Sequence, residues 1–181
     1  MTKAQSPIQY TTNHKYEVVA YSPQWPSQYK DEQAVLKKIF GTIVLDIQHV
    51  GSTAIPGMAA KPQLDILIQV QNIDSVDAFN TAMETAGYTP YGDILSKGGR
   101  LYSRWKDDTK TVNVHVYQKD SPIIWEYIGT RDYLLAHPQK AAEYARFKIG
   151  LYQKYPDDYL KYREYKDGYV EKLQQQILLD K

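Results

Sequence analysis

Two features of the segment HVGSTAIPGMAAKPQLDILIQV, residues 49–70, have the residue types and spacing for phosphate chemistry. Gly51 and Ser52 stand where an apolar run gives way to a turn-rich loop. Backbone N–H groups and a hydroxyl in such a turn can bind phosphate oxygens. Asp65 follows on the apolar stretch QLDILIQV, where a carboxylate is costly unless it has a partner, a ligand or solvent. The pattern indicates a site for an anionic molecule.

A second polar face is predicted on the stretch TVNVHVYQ, residues 111–118. By the two-residue period of a strand, Asn113, His115 and Tyr117 share one face and the valines share the other. If this strand lies beside the strand of Asp65, the two polar faces meet. Asp65 and His115 would then both face the Gly-Ser loop.

The elements that must position these residues form a mixed α/β half followed by helices. β-Rich composition and alternation predict strands at 15–21, 42–50, 63–70, up to about Trp105, and 111–118, with a hairpin turn at 106–110. Apolar spacing and capping signals predict helices at 28–40, 72–87, 124–136, 139–154 and about 157–179. We expect a flexible tail at 1–14 and one domain at 15–181. That domain divides into an α/β core, 15–120, and a helical extension, 121–181.

The composition of the 181-residue chain excludes several classes of function. The net charge is +1, from 22 basic and 21 acidic residues, so extended nucleic-acid binding is not expected. The chain has no cysteine, which rules out disulfides, thiolate catalysis and Cys-ligated metals. No apolar run approaches the roughly 20 residues that span a bilayer, and the polar N-terminus lacks the apolar centre of a secretory signal. We therefore expect a cytoplasmic protein with no membrane partner.

Several blocks in order give the chain a family resemblance. The segment 49–70, followed by GGR, VNVHVY, RDYLLAHPQKAAEYARFK and YKDGYV, resembles the GrpB family over about residues 16–175. That family resembles a domain attached to dephospho-CoA kinases in some bacteria. The resemblance implies an α/β (α+β) fold, with a nucleotidyltransferase-like mixed β-sheet, flanking helices and a C-terminal helical extension.

The resemblance also implies a site, but with parts missing. Nucleotidyltransferases use Gly-Ser for the nucleotide phosphates, and an Asp-x-Asp or Asp-x-Glu pair plus a later acid for magnesium. Gly51, Ser52 and Asp65 match the first elements. Leu67 stands where the second acid should be, and the later strand offers His115. Because magnesium prefers oxygen ligands and a two-metal mechanism needs bridging acids, standard two-metal transfer is not expected.

Three arrangements remain open for the chemistry. Asp46 or Asp93 could supply a missing acid. His49, Asp65 and His115 could form a two-His-one-carboxylate site for a divalent metal ion, although a hydrogen-bonding role for His49 is favoured. Alternatively the site is metal-free, with His115 as acid or base and Asp65 orienting it.

The predicted ligand is a nucleotide or another small anionic molecule. Residues expected to bind it are Gly51, Ser52, Lys61, Arg100, Asn113, Arg131 and Lys148. The tyrosines of the last helices recur at helical spacing, which predicts a packing stripe. The leading functional hypothesis is an enzyme or former enzyme of nucleotidyltransferase type. The alternative is a non-catalytic ligand-binding or protein-interaction accessory module.

Overall fold

The computed structural model describes residues 13–179 and contains a five-stranded mixed sheet with helices against both faces. The tail predicted at 1–14 therefore lies outside the described residues, except for its last two. Of these, Asn13 accepts a hydrogen bond from the backbone N–H of Leu160, and the ring of His14 lies 4.0 Å from that of Tyr159. Residues 13 and 14 are thus packed against the C-terminal helix.

The strands confirm the predicted mixed sheet. They are β1 Val44–Val50, β2 Leu64–Val70, β3 Tyr88–Gly92, β4 Arg100–Lys106 and β5 Thr109–Gln118, in the spatial order β1-β2-β5-β4-β3. Only β2 and β5 run parallel; the other neighbours are antiparallel. The strand predicted at 15–21 is reduced to a single bridge between Val19 and Ala60.

The helices follow the predicted order with two differences. They are α1 Trp25–Phe40, α2 Asn80–Thr85, α3 Ile123–Ala136, α4 Pro138–Lys154 and α5 Tyr159–Leu179. The first begins three residues earlier than predicted because Pro26, which has no N–H to satisfy, fits its first turn. The helix predicted at 72–87 is divided into a 3-10 segment, Ile73–Phe79, and the short α2.

The parallel pair β2–β5 brings the two polar faces together. Asp65 lies beside Asn113 and Leu67 beside His115 in this register. The opposite face, which includes Ile66 and Ile68, is buried in the main core against α1. The polar residues of β2 and β5 therefore lie on the face away from α1, as the alternation in the sequence predicted.

The C-terminal helices share a core with the loop that follows Gly51. The buried members of this cluster are Ile55, Met58, Leu134, Tyr144, Leu173 and Ile177. This packing fixes α3, α4 and α5 over the polar face of the sheet, so the helical extension forms a wall of the central cavity. No helix within residues 13–179 has both the length and the apolar character to cross a membrane.

Candidate functional site

A cavity of about 620 Å³ lies between the Gly-Ser loop, the polar face of the sheet and helices α3 to α5. The predicted site residues that line it are Gly51, Ser52, Lys61, Asp65, Asn113, His115, Arg131 and Lys148. Residues of α5 that the sequence analysis did not select also line it: Tyr159, Tyr162, Arg163, Lys166 and Asp167. The block YKDGYV contained a signal for two of them, since it carries Lys166 and Asp167.

Gly51 allows the loop to approach the acid closely. Its φ is +72°, and a Cβ atom added there would lie 2.8 Å from Oδ2 of Asp65. Both the left-handed backbone and the close contact require a residue without a side chain. The absence of a side chain at Gly51 therefore leaves the space that the carboxylate of Asp65 occupies.

Asp65 is held by hydrogen-bond donors. Its Oδ1 accepts from Nε2 of Gln63 and Nδ2 of Asn113, each at 3.1 Å, and lies 3.6 Å from Nε2 of His115. Burial raises the pKa of Asp65, but the neighbouring His115, the charge of Lys61 and the amide of Asn113 outweigh it and lower the pKa to about 2. Asp65 is therefore ionised at neutral pH.

His115 is buried and links Asp65 to a tyrosine. Its Nε2 faces Asp65, and its Nδ1 lies 3.1 Å from the hydroxyl of Tyr127 on α3. Asp65, His115 and Tyr127 thus form a row of neighbouring polar groups. Because Tyr127 lines the cavity, its hydroxyl can extend this row toward a ligand. The helix prediction placed Tyr127 on α3, but nothing in its spacing pointed to His115.

Lys148 is the most buried cationic side chain of the cavity, with 2% of the residue exposed. Its Nζ donates to Oγ of Ser52 at 2.7 Å and lies 4.5 Å from the ring centre of Tyr144. Burial lowers the pKa of Lys148 well below its ordinary value, and the charges of Lys166 and Lys61 lower it further. Ser52 is thus engaged by a lysine and does not cap the short helix that it begins.

The contact between Lys61 and Tyr159 indicates a positive electrostatic potential in the cavity. The Nζ of Lys61 donates to the Tyr159 hydroxyl at 3.1 Å. Burial raises the pKa of Tyr159, but nearby cations outweigh it and bring the pKa below its ordinary value. These cations are Lys61, Lys166 and Arg163. A buried phenol becomes more acidic only where positive charge dominates.

Arg131 and Arg100 occupy different surroundings. Arg131 lines the cavity, donates to the backbone carbonyl of His49 at 2.9 Å, and pairs with Asp132. Arg100 does not line it. It contacts both carboxylate oxygens of Asp77, at 2.7 and 2.8 Å, on the sheet face opposite the cavity. The structure thus gives the predicted ligand-binding residue Arg100 an ion pair instead.

The predicted metal site of His49, Asp65 and His115 does not form. Alternation places His49 on the other face of the sheet, where its ring stacks on Tyr29 at 4.9 Å and its Nε2 lies 2.9 Å from Oγ1 of Thr53. Burial lowers the pKa of His49 to about 4, so the ring is neutral near pH 7. Its role is the hydrogen-bonding one that the sequence analysis favoured.

Neither of the two candidate acids completes the site. Asp46 accepts a hydrogen bond from Gln69, two pleats or about 13 Å along β2 from Asp65. Asp93 accepts from the backbone N–H groups of residues 97–99 and organises the loop before β4. Each acid therefore has a local structural role away from Asp65.

The residues around Asp65 do not fit a magnesium ion. Leu67 is fully buried, and the groups nearest Asp65 are amide N–H donors and an imidazole. Magnesium needs several oxygen ligands in octahedral geometry. In the part of the chain that the structure describes, no group of three or more His, Asp or Glu side chains could hold a metal ion.

Comparisons with known proteins agree with these observations. The sequence profile described as GrpB protein matches residues 15–176. The chain is 39% identical over 156 residues to UPF0157 protein YqkA of Bacillus subtilis; the match covers 86% of this chain and 45% of that protein, so the chain spans less than half of YqkA. It is 35% identical to glutamate-rich protein GrpB of Alkalihalophilus pseudofirmus, over 86% of this chain and 92% of that one.

A solved structure and a more distant relative extend the comparison. The crystal structure of conserved protein GrpB from Enterococcus faecalis superposes with a TM-score of 0.85 at 33% identity, covering 91% of this chain and 98% of that one. The dephospho-CoA kinase of Mycolicibacterium paratuberculosis is 27% identical, over 78% of this chain and 40% of the kinase. The predicted resemblance and the mixed α/β fold class are both confirmed. The chain belongs to the GrpB protein family.

Proposed function

We propose that this protein binds a small anionic molecule, a nucleotide or another phosphate- or carboxylate-bearing compound, and acts on it by acid–base chemistry. The observation that carries the proposal is the ionised Asp65 beside His115 in a cavity that also contains the buried Lys148. Transferase chemistry of the standard two-metal kind is not part of the proposal because the donor set around Asp65 does not suit magnesium. We also propose a cytoplasmic location.

The chain Asp65–His115–Tyr127 provides the acid–base function. A ligand proton passes to the oxygen of Tyr127 as the phenol proton moves to Nδ1 of His115. Asp65, 3.6 Å from Nε2, stabilises the imidazolium that results. In this scheme the phenol of Tyr127 touches the ligand and His115 acts behind it.

Thermal stabilisation of the purified protein tests the proposal. The panel contains nucleotides, coenzyme A precursors and amino acids, each with EDTA, magnesium, manganese or zinc. We expect a compound that stabilises the protein in EDTA as well as in metal, because no metal is needed to hold it. The Asp65→Asn variant should lose this stabilisation, whereas Asp46→Asn, a carboxylate outside the cavity, should keep it. Equal stabilisation of the Asp65→Asn variant and the wild type would exclude the role given to Asp65.

A non-catalytic accessory module is the second candidate. It is favoured by Leu67 at the place of the second acid and by the match to less than half of the longer relative YqkA. This candidate predicts that the panel compound binds without being converted. Sustained turnover by the wild type, lost in a Tyr127→Phe variant that still binds, would decide for the enzyme.

A further inference from the structure

Two ammonium groups in the cavity form no ion pair with any carboxylate of residues 13–179. The Nζ of Lys148 is bound to the hydroxyl of Ser52, and that of Lys61 to the hydroxyl of Tyr159. Both lysines also lie against the faces of tyrosine rings. Hydroxyls and ring faces do not neutralise a charge, and a buried ammonium without a counter-ion is costly. The chain therefore leaves two amino groups of the cavity without a carboxylate in contact.

The other cations that line the cavity do have acidic partners. The closest N–O distances are 2.8 Å for Lys97–Glu126, 2.7 Å for Lys166–Asp167, 3.4 Å for Arg163–Asp167 and 2.7 Å for Arg131–Asp132. Among the cationic side chains that line the cavity within residues 13–179, Lys61 and Lys148 are thus the two without a carboxylate partner. Lys61 also lowers the pKa of Tyr159, the residue whose hydroxyl it contacts.

We infer that Lys148, Lys61 and Ser52 form a subsite for one doubly charged phosphate group, and that Lys148 gains a proton when this group binds. Two ammonium groups match the two charges of a phosphate monoester. Ser52 accepts a hydrogen bond from Lys148, so its oxygen holds the Lys148 amino group in the cavity, and its hydroxyl also hydrogen-bonds Tyr144. The inference rests on the proposed function, because it states the charge and position of the ligand's anionic group.

Proton uptake follows from the surroundings of Lys148. Without a ligand, burial and the two neighbouring ammonium groups hold the pKa of Lys148 well below its ordinary value. A bound dianion supplies the missing negative charge and raises it again. Affinity should therefore fall as the pH rises above the pKa of the ligand-free form. Several groups surround the amino group of Lys148. They are Tyr144, which lies with Lys148 on α4, Ser52 and Lys61 on the loop, and Lys166 with Asp167 on α5.

Sulfate is the first probe, because it is a tetrahedral dianion that does not titrate near neutral pH. Titration calorimetry at about pH 7.5, in two buffers of different ionisation enthalpy, then reports protons taken up by the protein alone. Inorganic phosphate and succinate follow at equal ionic strength, to distinguish a phosphate group from a dicarboxylate. We expect sulfate and phosphate to bind with proton uptake, and succinate to bind more weakly.

Three variants complete the test. Lys148→Met should weaken sulfate binding by about 10- to 100-fold, the value of one charge-assisted hydrogen bond, and abolish proton uptake. Lys61→Met should weaken binding similarly but keep part of the uptake, because burial and Lys166 still lower the pKa of Lys148. Lys154→Met, an exposed lysine on the same helix, is the matched control and should behave as the wild type. Far-UV circular dichroism establishes that each variant is folded.

The inference is overturned if wild-type protein binds neither sulfate nor phosphate, if succinate binds as tightly, or if Lys148→Met binds sulfate as the wild type does. Its failure differs from that of the proposed function. Panel binding that depends on Asp65 but not on Lys148 would remove the phosphate subsite and leave the function standing. If sulfate binding depends on Lys148 but no panel compound depends on Asp65 for its binding, the phosphate subsite would stand and the proposed function would fail.

Discussion

At the scale of single residues, the loop glycine and the strand acid are one structural unit. Gly51 and Gly57 both have positive φ, +72° and +78°, but only Gly51 would place a Cβ atom against another residue, at 2.8 Å from Asp65. Gly57→Ala should therefore carry the backbone penalty alone, about 1–2 kcal/mol. Gly51→Ala should cost more, about 3 kcal/mol, because Asp65 must also move. Urea unfolding of the two variants measures the difference, and equal losses would show that the contact is unimportant.

The acid itself should make stability depend on pH. The pKa of Asp65 is lowered from 3.8 to about 2, so its stabilising effect is present above about pH 4 and is lost as pH falls toward 2. The effect is on the order of 2 kcal/mol. We expect the free energy of unfolding of wild type, relative to Asp65→Asn, to fall by that amount between about pH 5 and pH 2. A difference that does not change with pH would mean that Asp65 has an ordinary pKa.

At the scale of elements, local alternation was sufficient to predict the polar face. Asp65 on β2 and His115 on β5 each stand among apolar neighbours, and the period of two separates polar from apolar residues within each strand. The parallel register of β2 and β5 then places both residues on one face. The pairing of His49 with Ile66, known only from the structure, places His49 on the opposite face. Alternation could not show the shift in register between Val44 and Asp46, which leaves Leu45 about half exposed.

Helix α5 shows what the sequence pattern could not predict. Tyr159 and Tyr162 do pack, as the stripe predicted, because both belong to a buried cluster with Leu151. They also line the cavity, since α5 lies across the polar face of the sheet. Helical spacing gives the side of a helix but not the surface that it covers, and that surface is decided by residues far away in the chain.

The position of α5 should depend on its apolar anchors. Leu173 is 5% exposed in the cluster shared with Ile55 and Met58, whereas Leu178 on the same helix is 56% exposed. Leu173→Ala should lower the free energy of unfolding by about 3 kcal/mol, and Leu178→Ala by less than about 0.5 kcal/mol. Thermal or urea unfolding measures both. If the two variants lost equal stability, α5 would not be fixed through this cluster.

At the scale of the whole molecule, charge is unevenly placed. The net charge of +1 gave no indication of a cationic cavity, because composition does not record which acid pairs with which base. Cationic side chains gather where the Gly-Ser loop, α4 and α5 meet. Since less than half of YqkA is matched, a region homologous to this chain also forms part of a longer protein.

Stability and ligand binding should therefore oppose each other at Lys148. Replacing this buried, un-ion-paired lysine by methionine keeps its length and removes an amino group that is costly to bury, so Lys148→Met should raise the free energy of unfolding by about 1–3 kcal/mol at neutral pH. The folded pKa of Lys148 lies below its ordinary value, so the folded protein binds fewer protons than the unfolded chain between those two values.

Wild-type stability must then rise with pH in that window, and the advantage of Lys148→Met should shrink as pH approaches about 10. Urea unfolding at several pH values, with Lys154→Met as the control, measures this gap. A Lys148→Met variant less stable than the wild type at every pH would show that the ammonium group stabilises the fold, and that its burial is not maintained for a ligand.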